Sequence, residues 1–408
     1  MTRDWNDAHR AEGLPGHPAD LAEDMPPPED GAPAELEPAP AVDLVRWHVR
    51  AAVAELISRV YPEGGRAPVT FPWPGCEPGW PDAPEEGRVC YTEGEPLPGG
   101  QRADWRPLWR LVGPLSPDRL VVVVGPTGRG KTALAVQASE AAAAAGCPVI
   151  YMSVELGAAE LAARHLAVRA RGAVPWSAYL RGRVSKPDLE TAGEDLVRDC
   201  PALYLWAPPA GGRSCAELAL LTRAVSRAHA DAPVLVVVDY LQRMDPDNPA
   251  RRGDLRQQIA DISGALRALS RPDGAWPGAG VLALSTTARS NYGKISNPES
   301  LGTMFWSDPD GLIGLGKETG EIEADAPVLV VLTCAALAEA GGMRAGFLAA
   351  PKVRDGSPGA LSLRFDGARG QWDGMVVSRR PLPKSEKGRS GADRAANDEP
   401  EAAWPKDG

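Results

Sequence analysis

The stretch "LVVVVGPTGRGKTALAVQASEAAAAAG", residues 120–146, decides how this chain is read. An unbroken run of Leu and Val leads into a glycine-rich octet, and the octet leads into an alanine-rich segment. A strand of β-branched residues without polar alternation is buried on both faces, as in a parallel sheet covered by helices. The octet Gly125, Pro126, Thr127, Gly128, Arg129, Gly130, Lys131 and Thr132 fits the pattern Gly, four free positions, Gly-Lys-Thr. Backbone N–H groups of such a loop and the N-terminus of the following helix form a cradle for anions. The eight residues are the expected nucleotide site, with Lys131 reaching the β- and γ-phosphates and Thr132 holding Mg2+.

Outward from this loop, "PVIYMSVE" (148–155), "ALYLWA" (202–207), "VLVVVDY" (234–240), "VLALST" (281–286) and "VLVVL" (328–332) repeat the apolar strand pattern. Ala- and Leu-rich helical segments separate them, which predicts an α/β fold with a mostly parallel sheet flanked by helices. The stretch "GFLAAPKVRDGSPGALSLRFDG" (346–367) predicts antiparallel strands at the C-terminal end of that sheet. Ligands of open α/β sheets bind beyond the carboxyl ends of the strands, so carboxylates there are informative. Asp239 ends one strand and is the expected second metal residue, holding the ion through water; the plain alternative is a turn-forming Asp. Glu155 ends another and is suited to orient an attacking water, if its strand lies beside the phosphate-loop strand. The plain alternative is an acid favoured by a helix N-terminus.

Composition narrows the class. The chain has 408 residues, 43% hydrophobic and 24% charged, enough for at least one full core with smaller appendages. Its apolar runs are too short to span a bilayer, and "MTRDWNDAHRAEG" has no apolar signal core, so a cytoplasmic protein without a membrane partner is expected. Six cysteines stand singly and five histidines are scattered, which predicts reduced thiols and no metal cluster built from them. Residues 1–40 hold ten acidic residues against Arg3 and Arg10, so most of the net charge of -10 is a tail property, and a local basic channel for nucleic acid remains open.

Four segments follow. Residues 1–40 read as a disordered acidic Pro/Ala-rich tail. Residues 41–104 hold a helix from Val42 to Val60 and a Pro/Trp-rich arm; the helix either docks on a neighbouring subunit or covers its own core. Residues 105–376 form the nucleotide domain and 377–408 a disordered polar tail.

Taken together, these motifs resemble the ATPase domain of DnaB-type replicative helicases, members of the RecA-like superfamily. The family's Ser-Leu-Glu-Met motif corresponds to "SVEL", and the resemblance implies that Glu155 is the catalytic base. "VVVDYLQRM" (236–244) is similar to the family's Walker B segment, and Thr319, Gly320, Ile322 and Glu323 occupy its Ser-Gly-x-Ile-Glu run. "APKVRDGSPGALSLRFDG" (350–367) resembles the Lys-x-Arg-x-Gly hairpin, which makes Lys352 and Arg354 cations supplied to the γ-phosphate of an adjacent subunit. Ordinary solvated charges are the alternative there. A homo-oligomer, hexameric in the family, and single-stranded DNA as partner are implied. The DNA contacts would come from Arg289, Lys294 and Lys317 around "RSNYGKISNPES" (289–300).

Two departures stand out. Thr286 occupies the position where the family has a γ-phosphate-sensing Gln, and residues 1–104 show no counterpart of the family's helical N-terminal domain. The leading expectation is a magnesium-dependent, DNA-activated ATPase of helicase type. A helicase-derived switch or loader in a mobile element or defence system is the alternative. A non-catalytic nucleotide-binding scaffold is disfavoured by the joint presence of Lys131, Glu155 and Asp239.

Overall fold

Each Val-rich run sends alternate side chains to opposite sides of one central sheet, and helices cover both sides. A computed structural model describes residues 48–60, 106–170, 174–209, 212–247, 254–315, 325–337 and 342–378. The proposed tail 1–40, the arm 61–104, nearly all of 377–408, Lys317 and the Thr319–Glu323 run lie outside the described residues.

In chain order the elements are helices α1 (Val49–Val60) and α2 (Arg106–Val112), strand β1 (Arg119–Gly125), α3 (Lys131–Ala144), β2 (Val149–Ser153), α4 (Ala158–Arg169), α5 (Trp176–Leu180) and α6 (Lys186–Asp199). Then come β3 (Leu203–Trp206), α7 (Cys215–Ala228), β4 (Val234–Asp239), α8 (Leu255–Ser270), β5 (Ala279–Thr286), α9 (Pro298–Ser307), β6 (Val328–Cys334), β7 (Met343–Val353), β8 (Gly359–Asp366) and β9 (Gln371–Val377). The strands form one sheet in the order β3-β2-β4-β5-β1-β6-β7-β8-β9. From β3 to β6 every pairing is parallel, and from β6 to β9 every pairing is antiparallel.

This order decides the condition attached to Glu155. β2 does not lie beside β1; β4 and β5 are inserted between them. An apolar run shows that a strand is buried on both faces but says nothing about its lateral neighbours. The edge on which the strand ends remains as expected, because the six parallel strands all point their carboxyl ends the same way. Register fixes the edge: Gly125 pairs with Thr286, and Ser153 with Asp239. The helix read over 42–60 is described from Val49 onward, and β9 is a strand that the polar character of the C-terminal region concealed.

One side of the sheet packs Val121, Val123, Tyr151 and Leu205 against α3, α4, α6 and α1. The other packs Val122, Ile150, Met152 and Val236 against α7 and α8. A smaller cluster joins α9 to β6, β7 and β8. Helix α1 lies across α4 and α6, where Val53 meets Gly193 too closely for any side chain at that glycine. Among the described residues no helix is long and apolar enough to cross a membrane.

The antiparallel end is anchored by Trp372 of β9. Its side chain is fully buried, its ring lies 4.6 Å from that of Phe365, and its backbone exchanges hydrogen bonds with the Gln137 side chain at 2.7 and 3.2 Å. We expect Trp372→Ala to lower stability by about 3–5 kcal/mol. In the same denaturant titrations Leu337→Ala, at a site 82% exposed, should change it by less than about 0.5 kcal/mol.

Candidate active site

The phosphate loop is shaped by its glycines. Gly125 packs so tightly against the Leu332 carbonyl of β6 that a Cβ has no room. Gly130 adopts φ 85° directly before α3, and a Cβ there would meet Trp372 at 2.6 Å. The Trp372 indole N–H donates to the Gly130 carbonyl at 2.8 Å, and the Arg129 guanidinium donates to the Cys334 carbonyl at 3.0 Å. The loop is therefore held from β6 and β9 as well as by its own turn. Lys131 folds back into it, its Nζ donating to the Gly125 and Pro126 carbonyls at 2.7 and 3.0 Å. Burial pushes its pKa down to about 8, opposed by the nearby negative charges of Asp239 and Glu155. An anionic phosphate entering the loop further favours the charged form and offers better acceptors than two carbonyls.

Asp239 is almost wholly buried at the end of β4. Its Oδ2 accepts from the Thr132 hydroxyl at 2.9 Å and from the Tyr151 phenol at 3.0 Å. Burial raises the Asp239 pKa, while those two donors and the Lys131 charge pull it back. With its proton committed to Asp239, the Thr132 oxygen keeps its lone pairs for a cation, and the carboxylate oxygens lie beside it. A hydroxyl and a carboxylate next to a phosphate loop are the oxygen donors that a Mg2+ bound with nucleotide takes. The donor set fits.

Glu155 lies just past β2 and is exposed. Its turn is pinned on both sides, because the Val154 N–H donates to the Asp239 carbonyl at 2.9 Å and the Leu156 N–H to the Ser153 hydroxyl at 2.9 Å. The carboxylate lies within electrostatic reach of Lys131, Asp239, Arg164 and Arg243. It is not the first-turn acid of α4. That place belongs to Glu160, whose Oε2 accepts from the Gly157 N–H at 3.3 Å.

Two participants escaped the sequence. Tyr151 looked like an ordinary strand aromatic, and only the pairing of β2 with β4 brings its phenol to Asp239. Arg164 of α4 lies with its guanidinium 4.2 Å from the centre of the Trp176 ring. Burial lowers its pKa, opposed by Tyr151, Asp239, Glu160 and Glu155. A single Arg within the apolar "ELAARHLAV" was the available signal.

Lys352 and Arg354 stand elsewhere. Lys352 pairs with Leu329, which pairs with Val122, and the Arg354 N–H donates to the Pro327 carbonyl at 2.9 Å. Both are two strands from β1 and level with its first half. Strand spacing and rise put Lys352 about 14 Å from the end of β1, beyond a lysine's reach to the chain's own phosphate loop. Arg289 and Lys294 bound a 3-10 turn, Arg289–Lys294, in which Lys294 is exposed and the Tyr292 phenol lies 3.3 Å from the Thr127 hydroxyl.

A family model described as the DnaB-like helicase C terminal domain matches residues 100–373. The chain belongs to that family. A replicative DNA helicase DnaB of Leifsonia xyli subsp. xyli is 28% identical over 272 residues, covering 65% of this chain and 54% of the relative. One of Rhodothermus marinus is 30% identical over 154 residues, covering 37% and 16%. The chain thus spans about half the length of the first relative and less of the second. Among solved structures, a DnaB-like replicative helicase described with its interactions with primase superposes with a TM-score of 0.52 at 20% identity, covering 66% of this chain and 61% of that one. An isolated ATPase domain superposes with a TM-score of 0.53 at 20% identity, covering 67% and 90%. These two likenesses show the fold alone, an α/β core shared with those domains.

The Tyr151 bond makes a measurable difference. Tyr151→Phe removes one of two donors to a buried carboxylate, and we expect the magnesium concentration for half-maximal nucleotide binding to rise about tenfold. Titrations of a fluorescent ATP analogue at a series of magnesium concentrations will read it; an unchanged midpoint excludes the role.

Proposed function

We propose that this chain is the ATP-hydrolysing motor domain of a DnaB-like helicase, acting as a homo-oligomer, hexameric as in the family, on single-stranded DNA. One observation carries the reading: Lys131, Thr132, Asp239 and the Glu155 turn converge on one edge of the sheet, while Lys352 and Arg354 lie too far away to serve that site. Cations that cannot reach their own phosphate loop are suited to complete the site of a neighbour.

In this mechanism the backbone of Gly125–Thr132 and Lys131 hold the β- and γ-phosphates of ATP. Thr132 and Asp239 would hold Mg2+, which would neutralise charge that develops on the phosphates. Glu155, fixed by its two flanking hydrogen bonds, orients and polarises the attacking water. Lys352 and Arg354 of an adjacent subunit stabilise the transition-state charge, which makes hydrolysis depend on assembly. The turn with Arg289 and Lys294 supplies positive charge to the DNA backbone.

Steady-state ATP hydrolysis with and without single-stranded DNA tests this reading. We expect DNA to stimulate the wild type, Glu155→Gln to lose a factor of about 10²–10⁴, and Arg354→Ala about 10³ or more. Mixing the two inactive variants should restore part of the activity, because some interfaces then pair an intact Glu155 with an intact Arg354. Failure to complement would remove the role in trans. Hydrolysis indifferent to DNA would leave the ATPase and favour the switch or loader.

A further inference from the structure

We propose that Tyr292 couples the state of the phosphate loop to the turn Arg289–Lys294, and through that turn to single-stranded DNA; this rests on the nucleotide and DNA reading above. Thr127 is an exposed member of the loop, and its hydroxyl shares a hydrogen bond of 3.3 Å with the phenol of Tyr292, 165 residues further along the chain.

The end of β5 is held by main-chain and Gln242 contacts. Gln242, in the short turn after β4, accepts from the Thr286 N–H at 3.2 Å and donates to the Ser285 hydroxyl at 2.7 Å. The next residue, Thr287, donates its N–H to the Gly125 carbonyl at 3.3 Å. Those contacts pin the strand end, and the Thr286 side chain is too short to extend beyond it. The chain is tied again where Ala288 N–H and Asn291 Nδ2 donate to the Leu315 carbonyl at 3.4 and 3.5 Å, and where Ile295 is fully buried. Between these anchors the Tyr292 side chain touches the loop.

The exchange is chemical. A neutral hydroxyl–phenol bond of 3.3 Å is at the weak end of the range, whereas a hydrogen bond to a phosphate oxygen is shorter and about twice as strong. A triphosphate in the loop therefore draws the Thr127 hydroxyl to itself and releases the phenol, and the turn that carries Lys294 changes its hold on DNA. A bond that merely stapled the turn would act alike in every nucleotide state.

The test measures binding of a fluorescent oligo-dT to the full chain with magnesium and either a non-hydrolysable ATP analogue or ADP, for the wild type and Tyr292→Phe. We expect wild-type affinities in the two states to differ by about fivefold or more, and the variant's ratio to fall close to one. By reciprocity oligo-dT should change the affinity for the ATP analogue relative to ADP by the same factor in the wild type, and not in the variant. A variant that keeps the wild-type ratio, or that loses DNA affinity equally in both states, overturns the proposal. A wild type that binds DNA without regard to nucleotide overturns the coupling alone. A wild type that binds no oligo-dT in either state removes the DNA reading and the coupling with it.

Discussion

Asp239 is a carboxylate 3% exposed at the seam of β2, β4 and the phosphate loop, and its burial constrains everything around it. A buried charge without partners costs several kcal/mol, so such a group persists only where donors are built to meet it. Here the donors come from two separate elements: Thr132 begins α3, and Tyr151 lies inside β2. Each is present for a reason of its own, one as the last residue of the loop and one as a core aromatic. Their agreement on a single oxygen locks the loop, β2 and β4 into one relative position. The backbone bond from Val154 to the Asp239 carbonyl adds a second tie between the same strands, and the Glu155 turn inherits its place from both.

How much of this the sequence disclosed depended on range. The phosphate loop and Asp239 were legible because each is a local pattern, a residue type at the end of an apolar run. Glu155 was legible as a carboxylate at the carboxyl end of a strand, with its lateral position left conditional. The condition that its strand lie beside β1 is not met, yet the shared parallel edge brings it to the side of the phosphate loop across β4 and β5. Lateral order is set by crossover connections and packing, which identical runs of Val do not encode. Tyr151 and Tyr292 were opaque for a related reason. Each acts through a hydroxyl whose partner lies 88 or 165 residues away, and nothing near either residue marks it.

Trp372 illustrates the opposite difficulty. It sits close to a polar C-terminal stretch, and "QWDGMVV" alternates too weakly to announce a strand, so its burial had to come from tertiary structure. Gly130 now has two reasons to be glycine. Its positive φ is one, and the indole occupying the space of a Cβ is the other. The conformation that the loop needs for phosphate and the packing that the C-terminal strand needs for burial are satisfied by one residue.

The antiparallel strands have ends of different character. At one end of the β7-β8-β9 meander, Trp372 lies against Gly130 and Cys334 of neighbouring β6 receives the Arg129 guanidinium. At the other end, β7 runs into Lys352 and Arg354. Sheets transmit displacement well because their ladders of hydrogen bonds and close-packed faces resist shear. In the proposed assembly, Lys352 and Arg354 are carried on the same group of strands that holds the chain's own phosphate loop. Loop geometry and cation placement are thus set together by one set of strands.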